Sequence, residues 1–240
     1  MIGSLRLPQG ADARYPHQQR YSHDHVPAIV TGSVRRLERG ETLYSEGEEA
    51  PNAYLLLEGV LRVIVPTATG KPRLADFAGP GDLVATAVFE GLQHGETVVA
   101  ADAVKVAQVD LGATLGRPAG RLGVGTALVT QLNRSRALAD DLGLPMGARI
   151  CRILARLTRR LGRECEGPAD PSGKPVQWRR LPFSLTHDDV ALMAGCARVT
   201  ATRVLGELKA RGALVGHRGD YALVPSALDE AADEYVYEAI

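Results

Sequence analysis

The chain has 240 residues, enough for one or two domains of about 150 residues each, and 45% of them are hydrophobic. Basic and acidic side chains are balanced at 28 each, which excludes a uniformly basic surface although DNA-binding domains are usually basic. Three cysteines exclude a disulfide scaffold, and the lack of a signal-peptide core or an apolar run of about 18 residues predicts a cytoplasmic protein without membrane contact.

The first 27 residues form a polar segment without an apolar period. His23 and His25 are spaced like a pair of metal ligands, but no cysteine or carboxylate cluster accompanies them. We therefore predict a mobile tail over residues 1–27 and no metal site.

From Ala28 onward the chain changes to short strand-like runs separated by glycines. The clearest runs are Tyr54–Leu57, Val60–Val65, Arg73–Phe77, Thr97–Ala100 and Val104–Val109. Strands that recur about every 8–12 residues predict an antiparallel barrel or roll. We assign residues 28–120 to this domain.

A long helix is predicted next, over residues 121–144. The side chains on one of its faces are Leu128, Leu132, Ser135, Leu138 and Leu142. So narrow a stripe is typical of a coiled-coil seam between two chains, and a helix packed on its own roll is the alternative. Proline cannot continue a helix, so Gly143–Pro145 is the predicted hinge to the next one.

The C-terminal half is locally basic. A helix is predicted at Gly147–Leu161, and the arginines in it and just after it are Arg149, Arg152, Arg156, Arg159, Arg160 and Arg163. The acidic residues gather elsewhere, in Glu46–Glu49 and Asp229–Glu238. Such a distribution suits contact with nucleic-acid phosphates.

The stretch Phe183–Val224 predicts two short helices followed by a β-ribbon. Thr186 and Asp189 have the spacing of a capping box at the start of the first helix, which ends at Gly195. The apolar stripe of the second helix consists of Ala201, Val204, Leu205 and Leu208. Two helices, a tight turn and a ribbon predict a winged helix-turn-helix.

The exposed face of the second helix favours DNA binding. It presents Arg198, Val199, Thr202 and Arg203, and no acid follows until Glu207. Arginine forks recognise guanine edges, and threonine hydroxyls hold phosphates. A helical hairpin in a protein core is the alternative interpretation of the periodicity alone.

The run LTHDDVALMAGCARVTATRVLGELKARGALV (Leu185–Val215) resembles the DNA-binding domain of the cyclic-AMP receptor protein and fumarate–nitrate regulator (CRP/FNR) superfamily. Gly40-Glu41-x-Leu43, Tyr54-x-Leu56-x-x-Gly59 and Gly81-Asp82-Leu83 are similar to its jelly-roll sensor domain. The resemblance covers Leu37 to about Leu223. It implies an α+β fold with an N-terminal antiparallel β-roll, a dimerisation helix at 121–144 and a winged helix-turn-helix at 145–240.

The resemblance also implies residue roles. An arginine, a glutamate and a second arginine contact base edges in the superfamily, and these positions are Arg198, Val199 and Arg203 here. Val199 departs from the pattern, so the cytosine contact of the glutamate cannot form. The residues predicted to contact the DNA backbone are Thr186, Thr200, Thr202, Lys209 and Arg218.

The cyclic-AMP site of the superfamily is matched only in part. Asp82 takes the position of the ribose-binding glutamate, and Glu96 takes that of the phosphate-binding arginine. No basic side chain except a histidine lies between Arg73 and Lys105, and a buried phosphodiester needs a cation. We predict a vestigial effector pocket at Asp82, Glu96, Thr97 and Ser135, in a regulator that is active without cyclic AMP.

No cofactor is predicted, because the sequence lacks the N-terminal cysteine cluster of iron–sulfur members and offers only His94 as a haem ligand in the roll. A different small molecule, or a thiol signal at Cys151 or Cys165, is the alternative mode of regulation. Catalytic motifs are absent, so we predict no enzyme. The expected partners are a palindromic DNA operator, a second copy of the chain and RNA polymerase.

Overall fold

The structure is a computed structural model that describes residues 28–239 except residues 69, 71, 92 and 170–175. The predicted tail and its two candidate metal ligands lie outside the described residues. The described chain has an N-terminal region of antiparallel strands, a long helix, and a C-terminal region of helices and a small sheet. Its helices are α1 (Leu111–Leu115), α2 (Pro118–Asp140), α3 (Met146–Leu161), α4 (His187–Ala194), α5 (Arg198–Ala210) and α6 (Pro225–Tyr237).

The N-terminal strands form two four-stranded sheets around a first core. These strands are β1 (Thr31–Leu37), β2 (Thr42–Tyr44), β3 (Tyr54–Glu58), β4 (Leu61–Val65), β5 (Arg73–Ala78), β6 (Leu83–Val84), β7 (Thr97–Ala100) and β8 (Val104–Val109). One sheet has the order β1-β8-β3-β6 and the other β2-β7-β4-β5, with antiparallel pairing throughout. Inward-facing Leu56, Leu61 and Val106 are fully buried. The predicted antiparallel roll is confirmed.

The long helix α2 lies on the roll with one face and leaves another apolar face uncovered. Val124 is buried against the roll, together with two glycines of the same face. Leu122, Val129 and Leu132 of the same helix are 65, 56 and 49% exposed. A single chain therefore leaves large apolar side chains of α2 in water, which monomeric proteins rarely do over a contiguous patch.

Arginines of α3 hold the junction between α2 and α3. The carbonyl groups that accept hydrogen bonds from the Arg149 guanidinium are those of Asp141, Leu142, Leu144 and Ala194. The contact with Ala194, at the end of α4, is 3.1 Å long. Arg156 forms an ion pair with the buried side chain of Asp141. The predicted hinge at Gly143–Pro145 thus lies inside a hydrogen-bonded network.

A second, larger core fills the C-terminal region and also includes Val60, Leu74, Phe77 and Ala101 of the roll. The strands of this region are β9 (Arg163–Cys165), β10 (Trp178–Arg180), β11 (Leu214–His217) and β12 (Asp220–Leu223), in the order β11-β12-β10-β9. The predicted apolar stripe of α5 is buried at Ala201, Val204, Leu205 and Leu208. The acidic stretch Asp229–Glu238 lies mostly in α6, which packs along α3 through Leu228 and Ala232.

Within the described ranges, no helix combines the length and apolar character that a membrane span needs. The same ranges contain no group of three His, Cys, Asp or Glu side chains placed to hold a metal ion. All three cysteines are free thiols, and Cys151 is fully buried.

Candidate nucleic-acid interface

The start of α4 is fixed by the predicted capping box. Thr186 Oγ1 accepts a hydrogen bond from the Asp189 backbone N–H at 3.0 Å, and Asp189 Oδ2 accepts one from the Thr186 N–H at 2.9 Å. Gly195 ends the helix at φ +69°, a conformation that glycine adopts without strain. The Thr186 hydroxyl still has its own proton to donate, so it remains able to contact a phosphate.

Asp189 also connects this helix to the roll. Arg62 of β4 donates to both of its carboxylate oxygens, at 2.9 and 3.0 Å, and to the Ser184 carbonyl at 3.2 Å. Burial opposes ionisation of Asp189, but the hydrogen bonds from Arg62 and the Thr186 backbone outweigh it and lower its pKa. A residue that the sequence indicates only as a helix cap thus also joins the two regions of the chain.

Replacing Asp189 with alanine is expected to lower the free energy of unfolding. Removing one partner of a buried ion pair costs about 3–5 kcal/mol, and the loss here should lie near the lower end of that range. The change leaves a partly buried guanidinium without its carboxylate, although Arg62 keeps the Ser184 carbonyl. Chemical denaturation measures the loss. Asp188→Ala is the matched control, because its carboxylate is 55% exposed and such surface pairs contribute about 0–1 kcal/mol.

The pH dependence of this effect has a definite sign. The pKa of Asp189 is lowered in the folded chain, so its contribution is fully present above the unfolded value of about 3.9. It is lost as the pH falls through the folded value, and the two proteins should then converge in stability. An equal difference at pH 7 and at acidic pH would contradict this account.

The recognition-helix positions are exposed as predicted. Val199 is 74% exposed, and the side chains of Arg198 and Arg203 are 69 and 60% exposed. Each arginine has a carboxylate partner: Arg198 lies 3.0 Å from Asp188, and Arg203 lies 2.5 Å from Glu207. Each pair engages only part of a guanidinium group, so N–H donors remain on both arginines for contact with DNA.

Other predicted backbone contacts are also on or beside α5. Thr202 Oγ1 lies 2.8 Å from His187 Nδ1, and His187 Nε2 lies 3.0 Å from the Tyr221 hydroxyl. Lys209 donates to the Gly216 carbonyl of the ribbon at 3.1 Å. The exposed residues among the predicted set are Thr202, Lys209 and Arg218, whereas Thr200 and Thr186 are partly buried. His187, which joins the recognition helix to the ribbon, was not identified from the sequence because its role depends on contacts distant in the chain.

The predicted dimer-interface residues do not share one environment. Leu132 and Ser135 are exposed on α2, whereas Leu128 packs partly against the roll and Leu138 against the C-terminal core. Leu142 is 63% exposed but lies beyond α2, in the turn Asp141–Gly143. The uncovered face of α2 runs instead through Leu122, Val129 and Leu132.

A cavity of about 220 Å³ lies between the roll and α2. Three of the predicted effector-pocket residues, Asp82, Glu96 and Ser135, line it. Thr97 is not among its lining residues, and its hydroxyl accepts instead from the Glu46 N–H at 3.0 Å. Glu96 accepts a hydrogen bond from the Tyr44 hydroxyl at 2.8 Å.

Arg134 of α2 brings a cation into this cavity, although the roll sequence has no arginine or lysine between Arg73 and Lys105. Its guanidinium donates to both oxygens of Asp82, at 2.7 and 2.9 Å, and lies 3.5 Å from Asp76. Burial opposes ionisation of Asp82, but Arg134 outweighs it and lowers the pKa of that carboxyl. Arg160 of α3 donates to both oxygens of Asp76, at 2.8 and 3.0 Å.

These features define a sensor-like β-roll joined by a long helix to a winged helix-turn-helix. A model of the cyclic nucleotide-binding domain matches residues 34–115, and one of the Crp-like helix-turn-helix domain matches residues 148–229. The chain belongs to the CRP/FNR superfamily of transcriptional regulators. It is a transcriptional regulator with a DNA-binding helix-turn-helix domain.

Several characterised proteins are similar over most of the chain. A CRP-like cAMP-activated global transcriptional regulator of Mycobacterium tuberculosis is 23% identical over 197 residues, which are 78% of this chain and 84% of that protein. The transcriptional regulator LdrP of Thermus thermophilus is 27% identical, covering 83% of this chain and 96% of the other. A solved structure of a CRP-family transcriptional regulator, also from Thermus thermophilus, has a TM-score of 0.66 at 25% identity, covering 83% of this chain and 96% of that one.

Proposed function

We propose that the chain binds a palindromic DNA operator as a homodimer and that it does so without cyclic AMP. The observation that carries the second part is the pairing of Arg134 with Asp82 in the effector cavity. We further propose that the DNA-bound dimer contacts RNA polymerase.

DNA recognition is assigned to the exposed face of α5. Arg198 and Arg203 supply guanidinium groups that can each donate two hydrogen bonds to a guanine. Val199 can offer only apolar contact, which suits a thymine methyl group. Thr186, Thr200, Thr202, Lys209 and Arg218 are assigned to the phosphates that position the helix.

Dimerisation is assigned to the uncovered face of α2. Burying Leu122, Val129 and Leu132 against a second copy would remove their apolar surface from water, at about 25 cal/mol per Å². A two-fold dimer also presents two recognition helices to half-sites about 34–36 Å apart along one side of the duplex. The operator is therefore expected to be palindromic.

The occupancy of the cavity by the chain's own side chains supports independence from cyclic AMP. The family resemblance places the ribose at Asp82, but both oxygens of this carboxylate already accept from Arg134. If Arg134 moved to a phosphate, the partly buried carboxylates of Asp82 and Asp76 would lose one of their cationic partners. Glu96, which also faces the cavity, would repel the phosphate.

The alternative of a thiol signal is not favoured at Cys151. Burial raises the pKa of its thiol to about 12, so the reactive thiolate is scarce at neutral pH. Burial also raises the pKa of Cys196. A small molecule other than cyclic AMP would still have to displace or accommodate the Arg134–Asp82 pair.

Operator binding is expected to be the same with and without cyclic AMP. Titration of the full-length protein into an operator selected from a random DNA pool measures this directly, and calorimetry measures nucleotide binding. A cyclic-AMP-activated relative serves as the positive control. Micromolar binding of cyclic AMP, or DNA binding that requires its addition, would contradict the proposal.

A further inference from the structure

The C-terminal helix α6 contacts the recognition helix α5 through Tyr235 and Glu207. Its position is fixed by α3, because Asp229 and Asp233 of α6 form ion pairs with Arg159 and Arg152. The ring of Tyr235 packs directly on Gly147, where a Cβ atom would lie only 2.5 Å from the ring. Tyr235 therefore has little freedom to move away from α5.

Tyr235 and Arg203 bind opposite oxygens of one carboxylate. The Tyr235 hydroxyl donates to Glu207 Oε2, and Arg203 Nη1 donates to Glu207 Oε1 at 2.5 Å. The hydrogen bond from Tyr235, with that from Arg203, lowers the pKa of Glu207. Burial and Glu207 raise the pKa of Tyr235, so at neutral pH the phenol is the donor and the carboxylate the acceptor.

We infer that Glu207, held by Tyr235, is a positioning residue that orients the Arg203 guanidinium for its base contact. An ordinary Arg–Glu pair four residues apart on a helix is weak, because two mobile side chains must be ordered together. Here Glu207 is already anchored by a residue of another helix. The pair engages Nη1, and a guanidinium has five N–H donors, so donors remain for a guanine edge.

The inference rests on the proposed base contact of Arg203, and it extends DNA specificity to a helix that need not touch DNA. Pre-orienting a flexible side chain reduces the entropy lost when it binds. Glu207 also places a negative charge near the phosphates, which weakens binding to any sequence. A positioning carboxylate should therefore favour discrimination between sequences at some expense in overall affinity.

Tyr235→Phe and Glu207→Gln test the inference in the full-length protein. Each variant is titrated with the selected operator, with the operator altered at the base pair that Arg203→Ala identifies, and with random DNA. Tyr235→Phe keeps the ring on Gly147 and is expected to reduce discrimination at that base pair about three- to tenfold, a fraction of a bidentate contact. Its affinity for random DNA should be unchanged, whereas that of Glu207→Gln should rise.

Glu234→Gln is the matched control. It breaks the ion pair between Glu234 of α6 and Arg211, the residue that follows α5, without removing a contact of Arg203. Its discrimination between operators should equal that of the wild type. Thermal melting of all three variants measures any general loss of stability.

Two results would overturn the inference. The first is wild-type discrimination between operators in both Tyr235→Phe and Glu207→Gln. The second is an equal loss of affinity for every DNA together with a lowered melting temperature, which would mean that these residues only stabilise the fold. If Arg203→Ala itself leaves discrimination intact, then the base contact in the proposed function fails first. The two failures are therefore distinguishable.

Discussion

Replacing Arg203 with alanine is expected to weaken binding to the operator far more than binding to random DNA. Arg203 is 60% exposed on the recognition helix, and its N–H donors other than the Nη1 group paired with Glu207 remain for a guanine. A bidentate arginine–guanine contact contributes about 1–3 kcal/mol of discrimination. Two half-sites in a dimer double this to about 2–6 kcal/mol, which titrations with both DNAs can resolve.

Lys209→Ala is the control for a contact with phosphate. Lys209 is exposed at the end of α5, and its loss should weaken binding to operator and random DNA alike. The slope of log affinity against log salt should become shallower by about one unit for each lysine lost, or about two units for the dimer. If Arg203→Ala behaves like Lys209→Ala, then Arg203 contacts only the DNA backbone.

Placing aspartate at Leu132 is expected to give a monomer that binds the operator weakly. The substitution would bury a charge in the proposed seam between two α2 helices, at a cost well above that of the lost apolar contact. A monomer engages one half-site at a time, so the operator affinity should fall by about 10²–10⁴. Sedimentation gives the oligomeric state, and titration gives the affinity.

Leu132→Met is the matched variant for this prediction, because it preserves apolar volume at the same position. It should sediment as a dimer and bind the operator like the wild type. An aspartate variant that also sediments as a dimer would place the interface away from Leu132. Leu142, which lies beyond the end of α2, would then be the next position to test.

The helix-turn-helix could be predicted from the sequence because its signals are local. The capping box of Thr186 and Asp189, the turn at Gly195 and the apolar period of α5 each lie within a few residues. The strands of the roll are likewise indicated by short apolar runs between glycines. Helix α6 has the same kind of signal, since Leu228, Ala231, Ala232 and Tyr235 follow a helical period, but its acidic composition is also typical of a solvated segment.

The parts that could not be predicted depend on contacts between distant residues. Arg134 lies 52 residues from Asp82, and Arg62 lies 127 residues from Asp189, so no local pattern indicates either pair. The stripe on α2 is ambiguous for a different reason. Leu128 and Leu132 are both apolar, and spacing alone cannot distinguish the side that packs on the roll from the side left for a partner.

The four carbonyl contacts of Arg149 have a mechanical consequence. One guanidinium ties the end of the long helix, the start of α3 and the end of α4 into one unit, and this leaves little slack between α2 and the recognition domain. In a dimer, a change in the crossing angle of the two long helices would therefore move both C-terminal domains as rigid bodies. Such a rotation would alter the distance between the two recognition helices. It would leave the contacts of each helix with its own half-site unchanged.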